Sequence, residues 1–527
     1  MIFFRRKVDT VFGEKLRKRG NLLCAAAVTA ALGLSVLVGW TAIPLGIPGE
    51  WVWPRREIRF DGIVFLYLCL LPLFVACGGV AWWAASRLTA GRRKAAWLVA
   101  AGILAAGIFV SVEILDSGPG QRGENIMAFL DAFTGGYLTE AVHVERPVPY
   151  FSGYAARLAA DEDPGNHLDV HPPGNVFFAW VVLESIRGLP ISPLVDRLLL
   201  SEEIRVNLAE LSRLQAFRGL PDDPAVFPAA AALLGLSIGA ICLGLLFSLL
   251  AAMILRRRSF SAAGIIFGAF FAVYGCGGPI LFAGHFDTFM FFLGALASLV
   301  LALALTARHS VSRCFLAFVF GVILAGAVSC TLAFGAMILL GAVCFWGRGR
   351  HFREKISPVL FLVVGGLLPV AGLWLLFDLN LTECVWLASR NNAAFFQETG
   401  RSVVAWWPYN LLDVILFSGP ALLMFMIGGV HLPRRSGTRW IFRPTPAVLF
   451  VTSAAGIGVL LLISPFSRGE LGRLFLFFVP CCLVGALMSV DVFLRTGTGR
   501  LLLYAALLAN LFLVLVLRVS LKLVIGY

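Results

Sequence analysis

Charge is what this 527-residue chain lacks: 14% of its residues are charged, against about a quarter in a soluble domain, while 59% are hydrophobic. That balance excludes a soluble globular fold. The ten-residue alternation of a membrane β-barrel is also missing. Apolar runs of about 20 residues, the length a helix needs to cross roughly 30 Å of hydrocarbon, recur along the sequence instead. The chain therefore reads as an all-α polytopic membrane protein. It has no internal repeat, which counts against the transporter folds built from two related halves. No Walker-type or dinucleotide pattern follows a strand, and nothing suggests a soluble nucleotide-sugar domain, so Gly275, Gly277 and Gly278 suggest close helix approach. A disulfide framework and CxxC metal sites are absent as well. Of the 11 cysteines all but Cys384, assigned to a loop, lie in or beside apolar runs and are expected to be small buried hydrophobes.

The net charge of +13 sits in short clusters between apolar runs: Arg5 to Lys7 with Lys15 to Arg19, Arg92 to Lys94, Arg256 to Arg258, Arg348 to Lys355 and Arg434 to Arg443. That is the positive-inside pattern of membrane topology, not a nucleic-acid face. The sequence predicts about 13 transmembrane helices, at about 21–43, 62–86, 95–112, 228–255, 259–283, 286–307, 312–328, 331–346, 356–378, 406–430, 445–463, 472–492 and 500–525. The first is read as a retained span, too long and too uniformly apolar for a cleaved signal peptide. Three regions follow: 1–112, a cytoplasmic tail and three spans; 113–227, a large extracytoplasmic segment with amphipathic surface helices; and 228–527, a helical bundle with short loops. Segments 113–171, 284–285, 379–405 and 464–471 fall outside. Pro172 to Ile186 is short for a crossing and reads as a re-entrant or shallow helix, unless 187–226 conceals a return.

Residues 113–171 hold ten acids against three arginines, net −7 in a basic chain. Within "QRGENIMAFLDAF", Ile126, Phe129, Leu130 and Phe133 recur at helical spacing, predicting a surface helix that rests on the membrane and opens at Glu124. Another amphipathic stretch begins with Ser201 as N-cap before Glu202 and Glu203. The acidic segment ends in "NHLDVHPPGN", with His171-Pro172-Pro173 opening the next apolar run.

A long acidic loop after an early span, followed by His-Pro-Pro at the next helix, resembles the GT-C superfamily of integral-membrane glycosyltransferases. It is most similar to the bacterial aminoarabinose transferases and the protein O-mannosyltransferases. The resemblance implies a GT-C-like fold, a polyprenyl-phosphate-linked sugar donor, an extracytoplasmic acceptor (glycan, lipid or protein) and a bacterial plasma membrane, with the site on its outer face. It implies Glu124 as the catalytic carboxylate and Asp116, at the end of the third span, as the second candidate. The chemistry calls for a base on the acceptor hydroxyl while a phosphate leaves the anomeric carbon. The family's frequent adjacent acidic pair is here Gly123-Glu124, and the long loop follows the third span rather than the first.

Other residues are candidates for substrate contact. His167, Asp169 and His171 offer imidazole and carboxylate donors to a divalent metal ion, although their i, i+2, i+4 spacing is not diagnostic. Equally, Asp169 or His171 caps the following helix, with Pro172 and Pro173 at its start and Gly174 packed closely. "SPFSRGELGRL" puts Arg468, Glu470 and Arg473 at the outer end of a span, where an arginine fork suits a lipid phosphate and a Glu470–Arg473 helix pair is the plainer alternative. His285 and Asp287 occupy a tight outer turn, lining a site or capping a helix. The loop from Leu387 to Asn410 adds Arg390, Asn391, Asn392, Gln397 and Arg401 beside Trp406, Trp407 and Tyr409, a mixture suited to sugar recognition or to an interfacial aromatic belt. Beside the transferase, two readings stand: a lipid or solute transporter, whose ionisable groups usually lie at mid-membrane, and an envelope assembly protein with an inert acidic loop.

Overall fold

The computed structural model of the chain describes residues 2–56, 60–88, 93–117, 123–130, 136–160, 167–188, 223–256, 261–431, 445–464, 471–494 and 497–523. Side chains of 2–19, His167, Asp169 and a few others lie outside that description. In chain order the helices are α1 (Ile2–Trp40), α2 (Phe60–Arg87), α3 (Arg93–Asp116), α4 (Glu124–Ala128), α5 (Tyr137–Val142), α6 (Pro147–Ser152), α7 (Tyr154–Ala160) and α8 (Gly174–Arg187). Then come α9 (Val226–Arg256), α10 (Ala262–Gly275), α11 (Gly278–Leu281), α12 (Asp287–Thr306), α13 (Ser310–Val328), α14 (Gly335–Arg348) and α15 (Phe352–Phe377). The last are α16 (Leu381–Glu398), α17 (Val403–Ser418), α18 (Pro420–His431), α19 (Pro446–Leu462), α20 (Leu471–Leu474), α21 (Val479–Phe493) and α22 (Gly497–Ser520). A hairpin of β1 (Gly46–Ile47) and β2 (Trp51–Val52) follows the first span.

Among the described residues eight helices are long and apolar enough to cross a membrane, or up to ten if the bent pairs α17–α18 and α20–α21 each count as one span. The pairs bend by 97° and 73°, where single spans at 406–430 and 472–492 were expected. Three further expected spans, Ala262–Gly275, Leu332–Arg348 and Pro446–Leu462, are apolar helices of 10–17 residues, shorter than a straight crossing requires. Pro172 to Ile186 becomes α8, 14 residues whose Val176, Ala179, Leu183 and Ile186 face α5 and α9.

Two cores result. The membrane helices close around α10, buried along nearly its whole length, with α2, α3, α9, α21 and α22 about it. A second core lies where Ile126, Phe129, Tyr137, Phe151, Val176 and Phe286 interlock. All 11 cysteines are free thiols, eight of them buried, as small hydrophobes should be. Cys384 is buried on α16, an 18-residue helix with an Asn380 cap, where the sequence suggested a loop. The expected surface helix at Glu124 is corrected too. It is a single turn, α4, and Glu124 through Leu130 are all buried against protein, because Phe129 stacks on Phe286 at 5.4 Å instead of meeting lipid. Phe133, Asp131, Ser201, Arg468 and Glu470 lie outside the described residues.

Candidate functional site

Asp116 is the last residue of α3. Seven residues on, the chain returns through Gly123, whose φ of +86° is open to glycine at little cost. This sharp return lets one carboxylate satisfy two backbone donors. Gly123 N–H donates to Asp116 Oδ2 (3.0 Å) and Asn125 N–H donates to Oδ1 (3.1 Å). Gly123 is thus the hinge that brings the two carboxylates together.

Glu124, 5% exposed, meets Arg56, whose Nη2 lies 2.7 Å from Oε1 and 2.9 Å from Oε2. Arg518, 2% exposed in the last turn of α22, lies between the acids with Nη2 3.5 Å from Asp116 Oδ1 and 3.5 Å from Glu124 Oε2. Its Nε donates to the Leu115 carbonyl at 3.2 Å. Two acids and two arginines therefore form one largely buried cluster, the arrangement that makes burial of charge tolerable.

A clasp holds Arg56 in place. Trp53 Nε1 donates to Asp413 Oδ1 (3.0 Å), Arg56 N–H donates to the Ser520 carbonyl (2.9 Å), Lys522 N–H donates to the Pro54 carbonyl (3.0 Å), and Arg55 bridges Leu521. The segment after the first span is thereby tied to the end of the last.

Beside the cluster, Arg473 on α20 reaches Asp287 on α12, with Nε 3.5 Å from Oδ2. The expected pairing of Arg473 with Glu470 falls on an undescribed residue. Neither His285 nor Asp287 caps α12, whose N-cap is Phe286 without a side-chain bond; His285 is instead 1% exposed, with Gly284 against the Asn125 backbone. Burial, together with the positive charge of Arg473 and Arg518, pushes His285 down to about 3. The same two influences, burial and Arg473, push His171 down to about 4. His171 stacks edge-on with Tyr137 at 6.0 Å and leads into α8, whose N-cap is Pro173, so neither His171 nor Asp169 caps that helix. Gly174 meets the expectation of close packing: its N–H donates to the Ser329 carbonyl at 2.6 Å. Gly278 does so as well, an added Cβ lying 2.7 Å from the Phe417 carbonyl.

Among the described residues no group of three or more His, Cys, Asp or Glu is arranged to hold a metal ion, and the side chains of His167 and Asp169 are not among them. In the stretch expected to recognise sugar, several side chains meet partners within the protein. Asn391 donates to the Leu158 carbonyl (2.9 Å), Trp406 donates to Glu50 Oε2 (2.7 Å), and exposed Arg390 lies over Trp386 at 5.5 Å. Arg56, Arg518, Asn125 and Tyr137 were not anticipated. Arg518 had a signal, a cation well inside the final apolar run. Arg56 had one too, since with Arg55 it forms a basic pair shortly before an apolar run.

Neither a family model, nor a curated protein, nor a solved structure matches this chain.

Proposed function

We propose that the protein is an integral-membrane glycosyltransferase of GT-C type, moving a sugar from a polyprenyl-phosphate-linked donor to an acceptor on the outer face of the plasma membrane. The observation that carries this reading is the meeting of Asp116 and Glu124 with Arg56 and Arg518, with Arg473 nearby. A transfer needs both signs of charge at one place: a carboxylate for the acceptor hydroxyl, and guanidinium groups for the phosphate that departs.

Glu124 takes the base role, since Asp116 is fixed by two backbone N–H groups whereas the partners of Glu124 are side chains that can shift. The acceptor hydroxyl gives its proton to Glu124 as its oxygen bonds to the anomeric carbon. The anomeric C–O bond to phosphate breaks, and the electron pair leaves with the polyprenyl phosphate toward the arginines. Asp116 holds Arg518 and the α4 turn.

The first test is thermal stability of the purified protein with bare polyprenyl phosphate, which at 100 times its Kd should add about 2.7 kcal/mol. Stabilisation that disappears in Arg473→Ala supports a phosphate site. No shift in the wild type would sink the reading, and solute flux in proteoliposomes without sugar transfer would replace it with the transporter.

A further inference from the structure

Two buried side chains beside the charged cluster remain chemically unfinished. His285 is 1% exposed, and neither ring nitrogen makes a hydrogen bond of normal geometry, although the Leu523 backbone approaches the ring. Asn125 is 2% exposed, and its side-chain oxygen has no hydrogen-bond partner. The two residues sit on turns in direct contact: a Cβ added at Gly284 would lie 2.7 Å from Asn125 Cα. Asn125 directly follows Glu124, so these groups adjoin the carboxylates.

A buried polar atom without a partner costs roughly 1–3 kcal/mol, and a fold that tolerates three such atoms on two touching turns gains nothing from them by itself. Their chemistry also differs from that of the surrounding cluster. Burial and the arginine charges keep His285 neutral, so its ring offers one N–H donor and one nitrogen acceptor. Asn125 adds a carbonyl acceptor. Neither suits an anion, while the arginines do. A hydroxyl, which both donates and accepts, matches the pair.

We propose that His285 and Asn125 form a receptor for an uncharged polyol, the sugar hydroxyls of the ligand, adjoining the arginine side that takes the phosphate. The assignment rests on the transferase reading and adds to it a division of labour. His285 and Asn125 recognise sugar, and Arg473 recognises phosphate. Discrimination of this kind is strong, since a ligand without the hydroxyls leaves the polar atoms unpaired.

The test uses the full chain in lipid nanodiscs and two kinds of probe: bare C55 polyprenyl phosphate, and the same lipid carrying glucose, mannose, galactose or arabinose. Wild type should bind at least one glycosylated lipid about tenfold or more tightly than the bare lipid, the effect of roughly one well-made hydrogen bond. His285→Phe and Asn125→Leu should each bring that contrast below about threefold and leave affinity for the bare lipid unchanged, whereas Arg473→Ala weakens both. Without ligand, His285→Phe should melt no lower than wild type, because it removes two buried ring nitrogens that make no hydrogen bond of normal geometry. A contrast that survives in both variants, or a wild type that binds bare and glycosylated lipid alike, overturns the receptor and leaves the transferase reading standing. Failure of wild type to bind either lipid overturns both. A marked drop in stability of unliganded His285→Phe overturns the receptor in favour of a structural histidine.

Discussion

Replacing Arg518 by methionine tests the charged cluster where its geometry is tightest. The guanidinium is 2% exposed, stands 3.5 Å from both Asp116 and Glu124, and donates to the Leu115 carbonyl. Removing one partner from a buried ion pair costs about 3–5 kcal/mol, because the other charge is left buried and uncompensated. Part of that cost is offset here, since Glu124 keeps Arg56 at 2.7 Å and Asp116 keeps two backbone N–H donors. The expected loss is therefore at the lower end, about 3 kcal/mol. Adding Asp116→Asn to Arg518→Met should return part of it, because the amide no longer needs a counter-charge. Reversible unfolding in mixed micelles of wild type, both single variants and the double variant forms the cycle, with a predicted coupling of about 1–2 kcal/mol. Strict additivity, or an Arg518→Met protein within about 0.5 kcal/mol of wild type, would refute the claim that Arg518 joins the two acids.

Gly123→Ala forces a non-glycine residue into φ +86° and should cost about 1–2 kcal/mol while lowering transfer, measured by unfolding and by a transfer assay. Stability should depend on pH through His285 and His171, which fold with values of about 3 and about 4 against an ordinary 6.5. The unfolded chain binds more protons in that window, so their effect is absent above about 6.5 and destabilising as pH falls from there toward 4. Each histidine contributes a slope of up to about 1.4 kcal/mol per pH unit, and His285→Phe should flatten the measured curve. Arg390→Ala, at an exposed position of α16 over Trp386, should leave transfer within about twofold of wild type, because its contact is with that ring and not with the acids.

The membrane helices were legible because a run of apolar residues reports its environment directly. The bends at Ser418–Pro420 and at Phe477–Val479 were not, since apolarity says nothing about direction. Asp116, Glu124, His285 and Arg473 were readable as polar residues at the outer edge of apolar runs, but not their convergence. That convergence depends on Gly123 adopting a left-handed turn and on the last helix ending beside the first outer segment, contacts spanning more than 400 residues of chain. The periodicity of Ile126, Phe129 and Leu130 correctly marked apolar side chains. It could not tell a membrane surface from the protein core that in fact receives them. Arg390 and the amides near it are ambiguous in sequence for a related reason: polar groups in an apparent loop serve equally to pin one helix to another, as Asn391 does to the Leu158 carbonyl.

The most direct test of the account is sugar transfer from polyprenyl-phosphate-linked donors by the purified protein reconstituted in vesicles, comparing wild type, Glu124→Gln and Asp116→Asn at matched folded amounts. The account predicts transfer by wild type and a loss of at least about a hundredfold in Glu124→Gln, the contribution typical of a positioned base. Undiminished transfer by Glu124→Gln and by the double variant with Asp116→Asn would contradict it.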